Sequence, residues 1–419
     1  MPVCHRRRRF LITVLSLAAT VGASGDESWS LTPSAAVLAL ASDPAEPSPA
    51  ALLDAALLFS GAGADRTEAA MSRGLAAIAV ARGLAVSAAD EYERGALVLE
   101  LVHSTFSRYD LLESRLDRAL LEGRYNCVAS STLYAILARA AGLTVRGVIL
   151  EDHAYCYLLV GGRRVDVETT SAGGYAGATV GVGPEAETSV RGLVALALRN
   201  RATMLERSGR WFEALALAVD AYAYVRDDAT MENLSGRISN CVAALLKNGR
   251  WSEAVGLAEA ASASYGPSPV FERLEDTARI AAMTEALRAA SPGGALAIAE
   301  ASMADGSADA GWLERAFAYA YAGLAEESRK AGDQLGAWNV AAAGAARFPD
   351  SEPLASLERV AKGNWVKSVH NRFAGLYNAG RFKEALAAVR LALELSPGER
   401  MLESDAEAAE KALGSMPSP

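Results

Sequence analysis

The sequence predicts an α+β protein: a helical lead-in and a core with a small antiparallel sheet, followed by an all-α solenoid of paired helices. Three observations carry this. Apolar residues recur at helical spacing from Ala50 onward, strand-like runs are confined to residues 144–169, and four related Gly-led segments recur after Gly209. The chain has 419 residues, 51% of them hydrophobic, 22% charged and 7% aromatic, which excludes a largely disordered protein and leaves room for two or three cores.

The N-terminus reads HRRRRFLITVLSLAATVGA: a basic stretch, an apolar run from Phe10 to Val21, then small residues at Gly22 and Ala23. This is the pattern of a secretory signal peptide over residues 1–23, with cleavage before Ser24. The apolar run is well short of the roughly 20 residues that span a bilayer. An uncleaved N-terminal anchor is the alternative, and otherwise no membrane span is expected in the mature chain. Removal takes away Arg6, Arg7, Arg8 and Arg9 and no acid, leaving 37 basic against 50 acidic residues, or −13. So acidic a chain is a poor partner for nucleic acid. Export to the periplasm or the extracellular space is therefore expected, for a bacterial-type protein. Cys127, Cys156 and Cys241 remain, and an odd count leaves at least one thiol free. His5, His103, His153 and His370 are too scattered for a metal cluster, and no cofactor motif is present.

Residues 24–49 are rich in Ala, Ser and Pro and are expected to form a weakly ordered leader. A helical block follows, with Leu52, Leu53 and Leu57, then Met71, Leu75 and Ile78, then Leu97, Leu99 and Val102. The spacing predicts a further helix over 128–141 with Leu133, Ile136 and Leu137 on one face, stopped by Gly142. Strands are predicted over 144–150, 154–160 and 163–169, the last two joined by Gly161-Gly162 as a tight hairpin. Residues 171–188 are Gly-rich and read as a loop or linker, so the first domain is placed at 50–180 and a linker at 181–190.

From there to residue 410 the chain is repetitive, with 411–419 left as a tail. GRWFEALALAVDA begins at Gly209, GRWSEAVGLAEAA at Gly249, GRFKEALAAVRLALELSP at Gly380, and a degenerate GDQLGAWNVAAAGAARFP at Gly332. In the best copy Gly380, Phe382, Ala385, Ala392 and Pro397 resemble the tetratricopeptide pattern. The same offsets give Gly209, Trp211, Ala214 and Ala221, and Gly249, Trp251, Ala254 and Ala261. Small residues are needed where two helices touch closely, and the aromatic fills the gap between successive pairs. The starts lie 40, 83 and 48 residues apart, which leaves space for an eroded copy near Ser291-Pro292-Gly293. A generic Ala-rich bundle is the alternative. A repeat array of this kind implies a protein or peptide partner.

One constellation has the residue types for nucleophilic chemistry. Cys127 stands at the start of the predicted helix, where the helix dipole favours thiolate, although buried free Cys is a common core residue. His153 lies at the head of the first hairpin strand, on the face of Tyr155 and Tyr157, with Cys156 on the other face. If Gly161-Gly162 is the loop, Val160 pairs with Arg163, Tyr157 with Asp166, Tyr155 with Glu168 and His153 with Thr170. Glu168 is then the diagonal neighbour of His153 and the preferred orienting carboxylate; a one-residue bulge would substitute Asp166. Such a carboxylate would fix the ring tautomer and leave the other nitrogen to activate the thiol.

The runs YNCVASSTLYAILARAAGLTVRGV, DHAYCYL and GGRRVDVETT, with the helical HSTFSRYDLLESRLDRALLEGRYNC before them, resemble the SirB-type transglutaminase-like family over about residues 50–180. The resemblance implies a papain-like core with Cys127 as nucleophile, His153 as base and Glu168 or Asp166 as orienter, and amide or ester hydrolysis or acyl transfer as the reaction. Two other outcomes stay open: a non-catalytic scaffold working through the repeats, and a Cys127–Cys156 disulfide that would abolish the nucleophile.

Overall fold

The computed structural model describes residues 20–23, 29–42, 46–175 and 185–415. Seventeen helices and eight short strands make up this part of the chain, so the class is α+β with helix dominant. The expected signal segment lies outside the described residues except for its last four, strand β1 (Thr20–Ala23), which pairs antiparallel with β2 (Trp29–Thr32). The leader expected at 24–49 to be weakly ordered is instead tied down where it is described. The alternation in Trp-Ser-Leu-Thr turns Trp29 and Leu31 into an apolar cluster with Leu215, Val219 and Leu257. Ser34 caps α1 (Ala35–Ala41) and donates its backbone N–H to the Asp220 carboxylate at 2.7 Å.

Helices α2 (Pro49–Ser60), α3 (Ala64–Ser87), α4 (Glu91–Thr105) and α5 (Leu116–Glu122) form the lead-in. Short parallel strands β3 (Arg108–Tyr109) and β4 (Arg124–Tyr125) then deliver the chain to α6 (Cys127–Ala140). By length and composition α3 would suffice to cross a membrane. It turns Ala70, Gly74, Ile78 and Ala81 inward, and Gly74 sits so close to the Leu53 side chain that a Cβ would collide with it. Helix α6 is the centre of the unit: every residue from Cys127 to Ala138 is buried. Its apolar surface packs on α2, α3 and α4, and each fully buried Leu or Ile contributes roughly 1.5–3 kcal/mol to stability.

The sheet contains β5 (Val145–Ile149), β6 (Ala154–Val160), β7 (Arg163–Val167) and β8 (Ala186–Thr188) in the order β7-β6-β5-β8, all antiparallel. Gly161 and Gly162 both have positive φ, 56° and 78°, as a two-residue hairpin of this hand requires. The expected register holds from Val160↔Arg163 through Tyr157↔Asp166 to Cys156↔Val167. It then stops, because residues 168–174 turn back on themselves: the Glu168 N–H donates to the Gly174 carbonyl at 2.7 Å, and Val167 bridges to Tyr175. The pairs Tyr155 with Glu168 and His153 with Thr170 are not formed. A second correction concerns 171–190, read as loop and linker: β8 lies inside it and closes the sheet edge against β5.

The rest is helical. The helices are α7 (Val190–Arg207), α8 (Trp211–Val225), α9 (Asp228–Lys247), α10 (Trp251–Tyr265), α11 (Pro269–Ala289), α12 (Pro292–Asp305), α13 (Ala310–Lys330), α14 (Gln334–Arg347), α15 (Glu352–Asn378), α16 (Phe382–Leu395) and α17 (Arg400–Gly414). The expected tail is thus helical as far as Gly414. Gly209, Gly249, Gly332 and Gly380 end the first helix of a pair with φ of 77°, 70°, 82° and 73°, a backbone state that only glycine adopts without strain. Ala214, Ala254 and Ala385 are fully buried one turn into the second helix, where a larger side chain would force the pair apart. Arg210–Glu213, Arg250–Glu253 and Arg381–Glu384 form the same exposed ion pair at three of these starts. The eroded copy expected near Ser291 begins α12, with Ser291 as its cap and Pro292 in the first turn.

Two compact units divide between Ala278 and Arg279, not at 181–190. The reason is α7, which packs on α2, α6 and β5 as well as on α8. Gly147 in β5 leaves room for the Leu193 side chain of α7, and Thr132 of α6 donates its hydroxyl to the Leu193 carbonyl at 3.3 Å.

Candidate functional site

Asn126 fixes the position of Cys127. Its Oδ1 accepts from the N–H groups of Val128 and Ala129 at 3.0 and 3.1 Å, and its Nδ2 donates to the Leu111 carbonyl at 3.1 Å. The cap therefore starts α6 and pins the 108–112 loop beside it. With Ser130 N–H donating to the Asn126 carbonyl, the N–H of Cys127 is the first-turn amide without a partner among the described residues. The Cys127 side chain is at the head of the helix and 6% of the residue is exposed.

His153 sits one residue before β6, in the tight turn where Leu150 N–H donates to the His153 carbonyl at 2.9 Å. Its Nε2 is 2.7 Å from Glu168 Oε2, with both side chains partly shielded from water. A hydrogen bond to Cys127, and then the Glu168 hydrogen bond and charge, push the imidazole up to about 10 against the opposing effect of burial. Burial acts to raise Glu168, but hydrogen bonds from His153 and from the Thr170 hydroxyl and N–H outweigh it and hold the carboxyl below its usual value. Asp166, the alternative acid, is not part of this line: it accepts from Arg164 Nε at 2.7 Å.

The three expected groups are thus brought together although the strand register fails at Glu168. Thr169 explains how. Fully buried, its hydroxyl bridges Ser130 Oγ at 2.9 Å and Ser131 Oγ at 2.8 Å, and Ser131 donates on to the Ala154 carbonyl at 3.1 Å. These bonds tie the second turn of α6, the head of β6 and the segment after β7 into one polar knot. Tyr125 Oη donates to the Thr170 carbonyl at 3.1 Å, and His103 Nε2 lies 3.1 Å from the Thr169 carbonyl. Burial lowers the His103 pKa. Sequence reasoning missed these supports, although adjacent hydroxyls at 130–132 in an otherwise apolar helix are a readable sign of buried partners. The thiols of Cys127, Cys156 and Cys241 are all free. Cys156 donates to the Ser131 carbonyl at 3.4 Å on the side away from His153, and burial pushes its thiol well up.

A cleft of about 310 Å³ opens over Cys127 and His153. One wall is the turn bearing Glu151 and Asp152; the other is the outer face of α7, with Arg199, Asn200, Met204 and Arg207. Sequence reasoning also misses that second wall, because the repeat pattern places residues 191–207 with the helical array alone. The chain matches no protein-family model, no curated protein and no solved structure.

Proposed function

We propose that the protein is a cysteine acyl-transfer enzyme or hydrolase of the transglutaminase-like type, exported and carrying a tetratricopeptide-like peptide-binding array. The observation that carries this reading is Cys127 and His153 lining an open cleft, with Glu168 hydrogen-bonded to the His153 ring. Cys127 Sγ attacks an amide or ester carbonyl carbon beside the His153 ring, which holds the proton that the thiol gives up. The unpartnered Cys127 N–H is placed to donate to the developing oxyanion. As the carbonyl–N or carbonyl–O bond breaks, His153 passes its proton to the leaving group. Water or an amine then attacks the thioester, returns a proton to His153 and frees the thiol. Glu168 keeps the ring oriented throughout. The papain-like description of the core and the repeat description of α7–α17 belong to the same proposal, supported by a helix-borne Cys beside a His at the entry to β6 and an acid at the exit of β7, and by the recurrent Gly, aromatic and Ala positions. Export rests on the composition of residues 1–23.

The test is alkylation of the full chain by iodoacetamide at about pH 6, read by intact and peptide mass. Cys127 is expected to react first, and His153→Ala to slow it on the order of tenfold by removing the imidazolium. Equal rates in wild type and His153→Ala would remove the case for an activated thiol.

A further inference from the structure

The cleft over Cys127 is electrically lopsided. Glu151 and Asp152 stand on the wall beside His153, and Arg199 and Arg207 on the wall made by α7; all four are exposed and none has an ion-pair partner among the described residues. This is unusual along the groove. Past Leu112, Asn200 and Met204 the cleft continues into a wider hollow of about 740 Å³, and its arginines there are engaged. Arg115 pairs with Asp117, Arg118 with Glu113 and Arg210 with Glu213, while Arg201 donates to the Phe59 carbonyl at 2.6 Å. Among the described residues, Arg199 and Arg207 alone line the groove as uncommitted cations. In a chain of net charge −9, two such arginines eight positions apart on one helix, beside the nucleophile, have no structural task that the contacts reveal.

We infer that α7 is the substrate-reading wall and that the acyl donor is an acidic peptide whose carboxylates are taken by Arg199 and Arg207. Eight residues of helix separate the two arginines by about 12 Å along the axis, the span of three to four residues of extended peptide. The substrate therefore carries acidic side chains about that far apart. Arginine suits the task because its planar fork receives a carboxylate with two parallel hydrogen bonds. Glu151 and Asp152 repel the same carboxylates from the opposite wall, so the peptide lies along α7 in one orientation. Leu111 and Leu112, 66% and 64% exposed at the rim, and Met204 supply an apolar seat between the charges. The inference rests on the acyl-transfer reading of Cys127.

The experiment compares alkylation of Cys127 in the full chain by iodoacetate, an anion, with alkylation by neutral iodoacetamide. The ratio of the two rates reports the field in the cleft. Arg199→Gln and Arg207→Gln are each expected to lower the iodoacetate-to-iodoacetamide ratio about threefold, and the double variant about tenfold, with the shift shrinking in high salt. Glu151→Gln combined with Asp152→Asn is expected to raise it. Arg82→Gln, on α3 outside the cleft, is expected to leave it unchanged. A pentapeptide with glutamate at both ends of a Leu-centred sequence should protect Cys127 from iodoacetamide, and its glutamine counterpart should protect less; in the double arginine variant the difference should vanish. An unmoved rate ratio in the double variant, or equal protection by the two peptides, overturns the inference. Failure of the acyl-transfer reading has a separate signature: His153→Ala would then leave both alkylation rates as in wild type, whatever the arginines do to their ratio.

Discussion

Replacing Glu168 by Gln keeps a hydrogen-bonding amide of nearly the same shape beside His153 but deletes the charge. In the structure the carboxylate oxygen is 2.7 Å from Nε2, and the ring is held up to about 10 by its hydrogen bond to Cys127 first and by Glu168 second. A hydrogen bond to a charged partner is worth about 1.5–3 kcal/mol and a neutral one about 0.5–1.5, so the substitution removes roughly 1–1.5 kcal/mol from the imidazolium. At 1.36 kcal/mol per pKa unit, the His153 midpoint should fall by about one unit. The assay is an NMR titration of the imidazole nitrogens, with His153→Gln to assign the signal. There is a consequence for stability. A pKa raised from 6.5 to about 10 on folding gives stabilisation that is complete below pH 6.5 and is lost as pH rises through about 10. Urea melts of wild type between those limits should show that loss, and Glu168→Gln should show a smaller one. An unchanged His153 midpoint in Glu168→Gln would refute the claim that this carboxylate holds the ring.

Asn126→Ala removes the cap that fixes the head of α6 and the 108–112 loop, and should cost about 1–2 kcal/mol in urea unfolding, with Asn126→Asp closer to wild type. Thr169→Val keeps the volume but strips the hydroxyl between Ser130 and Ser131; a loss of about 1–3 kcal/mol is expected, together with slower alkylation of Cys127 as the segment bearing Glu168 loosens. Ala385→Leu forces about three additional carbon atoms of side chain into a fully buried helix contact and should destabilise by about 1–3 kcal/mol in thermal melts. By contrast, Arg381→Gln breaks only an exposed pair with Glu384 and should change stability by less than about 1 kcal/mol.

Much of this architecture is local and was therefore readable from the chain. Helix α6, the Gly161-Gly162 hairpin and its register down to Cys156↔Val167 follow from apolar spacing and turn chemistry, which act between near neighbours. So do the glycines that end the first helix of each pair and the alanines that follow them. The preference for Glu168 over Asp166 as the partner of His153 agrees with the structure, but the ladder that led to it does not reach that far. The carboxylate is delivered by a turn held by Gly174 and by the buried Thr169 knot, contacts between segments up to 39 residues apart.

Sequence by itself determined α6, the strands β5, β6 and β7 and the glycine-led helix starts at Gly209, Gly249, Gly332 and Gly380, and which thiol, imidazole and carboxylate share a neighbourhood, because period, caps and hairpin glycines are short-range properties. Tertiary structure alone decided that Trp29 and Leu31 anchor the N-terminal segment, that β8 closes the sheet, and that α7 belongs to the cleft. Those outcomes depend on which distant surfaces find each other. A strand of three residues or one face of an amphipathic helix carries no local mark of its partner until the chain has closed around the core.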